Sequence, residues 1–320
     1  MDVFGPVPSR RLGQSLGINH IPPKTCPYSC IYCQLGRTDR LSATRQVFAD
    51  PDAISRKVGQ VLGVLHTQDK TVDYLTFVPD GEPTLDRRLG QSIERLKAYK
   101  KPIAVISNAS LLWMKEVRED LARADWVSVK IDAATPSLWH RINRPHRSLN
   151  LSDIFAGVED FSQMFQGTLV TETMLVAGYN DKPEEIEAIA RQIGRIQPRT
   201  AYLLVPSRPP AESYVHKPEQ ERLLSIAKTL TVMAGVPVSL MAQDEAAEDF
   251  FFGQEVIVDL LKIIAVHPVR EDVIKILIEQ RGLDLTVIDW LIRQNLILET
   301  MYEGRRYFRK NIQLEAHRPT

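Results

Sequence analysis

Every cysteine of this chain lies inside one eight-residue window, Cys26-Pro27-Tyr28-Ser29-Cys30-Ile31-Tyr32-Cys33. A chain of 320 residues that gathers its 3 thiols in one place is building a soft-metal site there. The spacing is C-x3-C-x2-C, with Tyr32 immediately before the last cysteine. Three thiolates can bind three irons of a four-iron cluster and leave the fourth iron open to a ligand. A structural zinc site is the alternative, but it usually shows C-x2-C pairs and a fourth ligand. His20 is the nearby candidate for that ligand, in a segment that reads as strand. A disulfide fits worse, because the count is odd and thiols this close have poor bridging geometry.

Clustered free cysteines fit a reducing, cytoplasmic compartment. Met1 to Pro6 has no basic n-region and no apolar h-region, so no signal peptide is expected. No apolar run approaches the ~20 residues of a membrane helix. Lys+Arg and Asp+Glu both number 40, which removes any global charge argument for nucleic acid or membrane and leaves only local patches.

The chain beyond the window alternates. Residues 1–15 read as irregular, with Arg10-Arg11 a solvated loop pair; the sharper reading of that pair is a contact to an anionic substrate. Residues 15–21 read as a first strand, ended by Pro22-Pro23. Helical spacing follows over about 51–66, 86–99, 110–123, 149–165, 183–196 and 217–233. Strands are expected over 73–78, 103–106, 126–131, 168–176, 201–205 and 236–240. Asn180 or Asp181 can cap the fifth helix, and Gly235 can stop the sixth. Roughly six β/α units imply an α/β fold with a parallel sheet and helical crossovers, a partial TIM-like (β/α)6 barrel, whose chemistry belongs at the C-terminal ends of its strands.

The tail breaks this rhythm. Helices near 255–265, 271–280 and 284–294 precede a hairpin that turns at Glu303-Gly304. The expected division is a barrel over 1–245 and a small winged-helix-like domain over 254–312. Arg305, Arg306, Arg309 and Lys310 crowd the hairpin, and a basic wing can touch a nucleic-acid backbone. Small winged helices also dock proteins.

The cysteine window resembles the signature of the radical S-adenosylmethionine (SAM) superfamily. Asp80-Gly81-Glu82-Pro83, after the second barrel strand, resembles that family's GGEP-type motif, with Asp80 where glycine is usual. The resemblance implies that Asp80, Gly81 and Glu82 meet the SAM amino group and that Tyr32 sits near adenine. Ser107 and Asn108 resemble the third-strand end, where the ribose or methionine part of SAM is met. Lys130 and Asp132, with Arg141-Ile142-Asn143-Arg144-Pro145-His146 beyond, resemble the branch that contains the tRNA wyosine-base synthases. Lys130 and Asp132 flank Ile131 and so share one strand face, as SAM or substrate contacts or as a buried ion pair and cap. Lys24, Glu172, Arg208 and His216 are weaker candidates for substrate contact.

One departure bounds the resemblance. Wyosine-base synthases carry further cysteines for a second cluster, and this chain has none. What the resemblance implies is a single [4Fe-4S] cluster on Cys26, Cys30 and Cys33, SAM on the open iron, and a one-electron donor such as a flavodoxin or ferredoxin. Electron transfer to the sulfonium would release a 5′-deoxyadenosyl radical that takes hydrogen from a substrate. RNA is one candidate substrate class; a peptide or protein docked by the tail is another. A reading of a different class is an iron–sulfur redox sensor whose tail binds DNA.

Overall fold

The computed structural model describes residues 2–242, 268–279 and 282–311, together with positions 257, 260, 261 and 264. Its strands alternate in a way that decides where the chemistry sits. In β1 (Asp2–Ser9), β2 (Gly13–Asn19), β3 (Thr25–Cys26), β4 (Arg40–Leu41), β5 (Tyr74–Phe77), β6 (Ile103–Ser107), β7 (Trp126–Lys130), β8 (Thr168–Met174), β9 (Thr200–Leu204) and β10 (Val238–Met241), successive side chains must face opposite sides. Leu16, Ile18, Leu75, Phe77, Val105, Val127, Val129 and Leu203 join the large core under the helices. The intervening positions Tyr74, Ala104, Ile106, Trp126, Val170 and Tyr202 form a separate small cluster on the other face, with Leu12.

The sheet has eight strands in the order β1-β2-β5-β6-β7-β8-β9-β10. All neighbours from β2 to β10 run parallel. Six helical crossovers join them: α1 (Pro51–Thr67), α2 (Leu89–Leu96), α3 (Lys115–Leu121), α4 (Pro136–Ile142) with α5 (Leu151–Met164), α6 (Pro183–Ile196) and α7 (Gln220–Ala234). The edges β1 and β10 do not pair, so this is an open, partial barrel. Asp50 caps α1 through Asp52 N and Ala53 N, with Pro51 in the first turn. Gly235 ends α7 in the left-handed region at φ 67°.

Several local expectations are corrected. The N-terminal residues are not irregular: β1 pairs antiparallel with β2, with a register shift between Phe4 and Val7. Its prolines are tolerated because β1 is an edge strand. Residues 136–142 form α4, which buries Leu138, Trp139 and Ile142. Neither Asn180 nor Asp181 caps α6; the N-cap is Lys182. Asn180 is spent instead on Val176 N, Asp132 O and Met174 O, each at 2.8 Å.

In the tail, α8 (Glu271–Glu279) and α9 (Thr286–Arg293) pack on a three-stranded antiparallel sheet of β11 (Val269–Arg270), β12 (Ile297–Tyr302) and β13 (Arg305–Lys310), ordered β11-β13-β12. Ile274, Leu277, Leu291, Ile297 and Phe308 form its own core. The hairpin was expected and β11 was not. The helix near 255–265 lies mostly outside the described residues. Tyr302 donates to Pro206 O and Tyr307 to Ser207 O, both at 3.0 Å, so the hairpin is fastened to the loop that follows β9. The basic crowding is partly neutralised, since Arg306 pairs with both Glu271 and Glu299.

Candidate cluster and cofactor site

The cysteine loop leaves the C-terminal end of β2 and is held from below by the turn after β5. Lys24 N donates to Asp80 O at 2.9 Å, and Glu82 N donates to Thr25 O at 3.1 Å. Gly81 is required by space: a Cβ there would stand 2.2 Å from Thr25 O and 2.8 Å from Ile21 Cγ2. The D-G-E-P turn therefore places the residue before Cys26. Asp80 is itself held by Asn19 Nδ2 at 2.8 Å.

Glu82 was expected to accept from an ammonium. It is 2% exposed, and its carboxylate receives Thr84 N (3.1 Å), Thr84 Oγ1 (2.6 Å), Ser107 Oγ (2.7 Å) and Asn108 N (2.8 Å). Burial raises its pKa against the pull of these donors. Its geometry is that of a brace tying the end of β5 to the end of β6. Ser107, buried, is consumed by that brace. Asn108 is aimed by it: its side-chain amide lies 3.2 Å from Cys26 Sγ.

A second brace stands across the site. Asp132 is 3% exposed and accepts from Tyr32 Oη, from Asn143 Nδ2 at 2.8 Å and from Met174 N at 2.9 Å. The same Asn143 amide lies 3.4 Å from Cys30 Sγ. Two of the three sulfurs thus each face a side-chain amide: the Asn143 amide is held directly by Asp132, while Asn108 is held by Glu82 through its backbone N–H and by Ser110 N through its Oδ1. Asn143 was not singled out individually in the sequence. Its signal was its place in the R-I-N-R-P-H run, whose backbone also pairs with the loop through Ser29 N to Asn143 O and Ile31 N to Ile142 O.

Lys130 and Ile131 face opposite sides as expected. Ile131 joins the helix-side core. Lys130 Nζ lies 3.3 Å from Glu172 and 5.8 Å from the centre of the Tyr32 ring. Glu172 also takes Arg11 and the Ser128 hydroxyl at 2.7 Å. Arg11 is therefore not a solvated loop residue; burial pulls its pKa down to about 10. Arg11 and Lys130 therefore share the Glu172 carboxylate on this inner face. Lys24 is buried with its ammonium 2.9 Å from Leu35 O, and burial lowers its pKa. Arg208 reaches Gln34 Oε1 at 2.8 Å, beside the same loop. His216 is exposed and is not brought into the site.

Burial pushes all three thiols upward, Cys30 to about 12, Cys26 well above the usual thiol range and Cys33 less far. Such thiols ionise only when a cation arrives to hold them. Among the described residues, no three His, Cys, Asp or Glu side chains converge on a single ion. His20 is not a fourth ligand: it is buried against Phe77, ring centres 5.0 Å apart, with Asp86 3.9 Å away. The fourth ligand that a structural zinc site needs is therefore not supplied by His20. Three cysteine sulfurs in one loop, two of them facing side-chain amides, suit a cluster that takes one thiolate at each of three corners.

The sequence profile of the Radical SAM superfamily matches residues 21–193. The chain belongs to that superfamily. Its members use a [4Fe-4S] cluster and SAM. A UPF0026 protein of Methanocaldococcus jannaschii is 40% identical over 310 residues, covering 97% of this chain and 96% of its own length. The crystal structure of a radical SAM methyltransferase from Sphaerobacter thermophilus aligns with TM-score 0.52 at 16% identity, over 72% of this chain and 67% of that one. Solved neighbours also include TYW1 with a lysine-pyruvate adduct bound, at TM-score 0.49 and 17% identity, over 68% of this chain and 73% of that chain. Among the described residues, no helix of this radical SAM protein is long and apolar enough to cross a membrane.

Proposed function

We propose that this radical SAM enzyme holds one [4Fe-4S] cluster on Cys26, Cys30 and Cys33 and binds SAM between that cluster and the strand ends of β5, β6 and β7. The observation that carries the reading is the pair of amides on Cys26 and Cys30, from two residues that buried carboxylates hold, Asn143 by its amide and Asn108 by its backbone. Hydrogen bonds to cluster sulfurs tune potential and fix ligand orientation. A [4Fe-4S] cluster held by these three cysteines would, when bound and reduced, supply the one-electron reductive cleavage of SAM.

The remaining work falls to the chain. Carbonyls of the Asp80-Gly81 turn, with Asp80 itself, receive the SAM ammonium, while Glu82 and Ser107 hold that turn and Asn108 in place. Tyr32, fixed by Asp132, offers an aromatic face beside the last cysteine. Lys130 supplies positive charge for the SAM carboxylate or for substrate. Buried packing around the loop keeps water away, so that the radical meets only its target. The division into a barrel over 1–245 and a winged-helix-like unit over 254–312 is supported by their separate cores.

For the substrate, the reading favoured is an anionic polymer such as RNA. Its support is the hairpin fastened to the loop after β9, whose strand β13 carries Arg305, Arg306 and the exposed Arg309. Electron paramagnetic resonance of the anaerobically reconstituted, reduced protein tests the cofactor assignment: SAM must shift the cluster signal. A well-loaded cluster that ignores SAM sinks the assignment and leaves the redox-sensor reading. Turnover that survives removal of RNA sinks the RNA reading in favour of a peptide or protein substrate.

A further inference from the structure

The cleavage of SAM needs an electron from outside, and the inner face of the sheet is the side that must admit SAM and substrate. The outer side of the cysteine loop carries a continuous group of contacts that neither role uses. Arg37, just past Cys33, donates twice to Glu212, at 2.9 and 3.0 Å. Arg144 pairs with the same carboxylate and donates to Tyr214 Oη at 2.9 Å. Tyr214 stacks on Tyr179 with ring centres 6.3 Å apart. Arg141 lies 4.7 Å over the Tyr179 ring. Two arginines therefore share one carboxylate, and a third lies over the aromatic stack beside them. The Arg37 side chain is 72% exposed, Arg141 is exposed, and Tyr214 is 47% exposed.

This patch is wired to the cysteines. Glu212 N donates to Ile31 O at 3.1 Å. Arg144 follows Asn143, whose amide is 3.4 Å from Cys30 Sγ. A partner seated on these arginines is one residue away from a sulfur ligand. Glu212 and the aromatic stack hold the guanidinium groups in a fixed arrangement, which suits an encounter surface better than a set of loose side chains would.

We infer that the Arg37–Arg144–Arg141 patch is the docking surface for an acidic protein that carries a low-potential one-electron centre. The inference rests on the cluster assignment above. The step balances simply: the donor loses one electron, the cluster gains it, and no bond is made or broken. Charge complementarity acts mainly on association, and it weakens as salt rises.

The test uses the full chain with reduced flavodoxin as donor and dithionite as a donor that needs no docking. R141E breaks no ion pair among the described residues, only the contact with the Tyr179 ring; R37Q/R141Q/R144Q removes three charges while leaving amides to donate to Glu212. Both variants are expected to raise the KM for flavodoxin by about tenfold or more at low salt, with kcat at saturating flavodoxin and dithionite-driven SAM cleavage unchanged. Binding of labelled, oxidised flavodoxin, read by fluorescence anisotropy, must weaken in parallel and lose its salt dependence. Unchanged flavodoxin KM and binding in both variants overturns the inference. Weakened RNA binding with unchanged flavodoxin binding also overturns it, and assigns the patch to nucleic acid. Absence of dithionite-driven cleavage in the parent protein is a failure of the cluster assignment, which the anisotropy measurement separates from a failure of docking.

Discussion

Gly81→Ala is the smallest change that reaches the cysteine loop through packing alone. The added Cβ would stand 2.2 Å from Thr25 O, and restoring an ordinary 3.4 Å contact means parting the two segments by 1.2 Å (3.4 − 2.2). Gly81 is not among the residues with positive φ, so the cost is one of space. Two backbone hydrogen bonds cross this contact, Lys24 N to Asp80 O and Glu82 N to Thr25 O, and the second, now 3.1 Å, would be lost at that separation. Overpacking costs about 1–3 kcal/mol, and each lost bond about 0.5–1.5 kcal/mol. The sum, about 1.5–4.5 kcal/mol, corresponds to roughly 3–9 °C in Tm for a chain of this size. Thr25 precedes Cys26, so a shift of about 1 Å moves a cluster ligand and costs on the order of 100-fold in turnover. The assay pairs thermal melting with iron content and 5′-deoxyadenosine release after anaerobic reconstitution. Gly63→Ala, with nothing within 4 Å of the new Cβ, is the control and should be neutral or slightly stabilising. A G81A protein with unchanged Tm, iron content and cleavage refutes the claim that the turn positions the loop.

Replacing Cys26, Cys30 or Cys33 singly by Ala should abolish cluster absorbance and SAM cleavage while leaving the far-ultraviolet circular dichroism of the barrel intact; a variant that keeps a full cluster removes that cysteine from the ligand set. Glu172→Gln should destabilise by about 3–5 kcal/mol in urea titrations, because Arg11 and Lys130 would face each other without a carboxylate; a change within error would show that solvent screens them. His20 is held neutral by burial, its pKa lowered to about 3 from 6.5. The unfolded chain takes up that proton first, so the His20 contribution is fully present above pH 6.5 and is lost as pH falls toward 3. His20→Leu should flatten the stability profile in that window by up to about 1.4 kcal/mol per pH unit; an unchanged slope would place the proton elsewhere.

Much of this architecture was legible because it follows from local pattern. The alternation of apolar strands with helices of period 3.6 gives the parallel sheet and its six crossovers, and the cysteine spacing gives the loop. What escaped depends on partners far away in sequence. Pro6 and Pro8 argue against a strand until β1 is seen to pair on one side only. Arg11 reads as a surface charge until Glu172, 161 residues later, is found to hold it. Glu82 and Asn180 were read by residue type, as an ammonium acceptor and a helix cap. Both types serve equally well in long-range braces, and only the fold reveals that Glu82 has met four protein donors and that Asn180 has met three backbone groups. Asn143 gained its place the same way, by lying between Cys30 and Asp132.

The central claim is that three cysteines and the strand ends around them make a SAM-cleaving centre. Its most direct test is anaerobic reconstitution with iron and sulfide, reduction with dithionite, and chromatography for products formed from SAM. The account predicts 5′-deoxyadenosine and methionine released together, in amounts that track cluster loading and vanish in the Cys33→Ala protein. A fully loaded cluster that leaves SAM intact would contradict it.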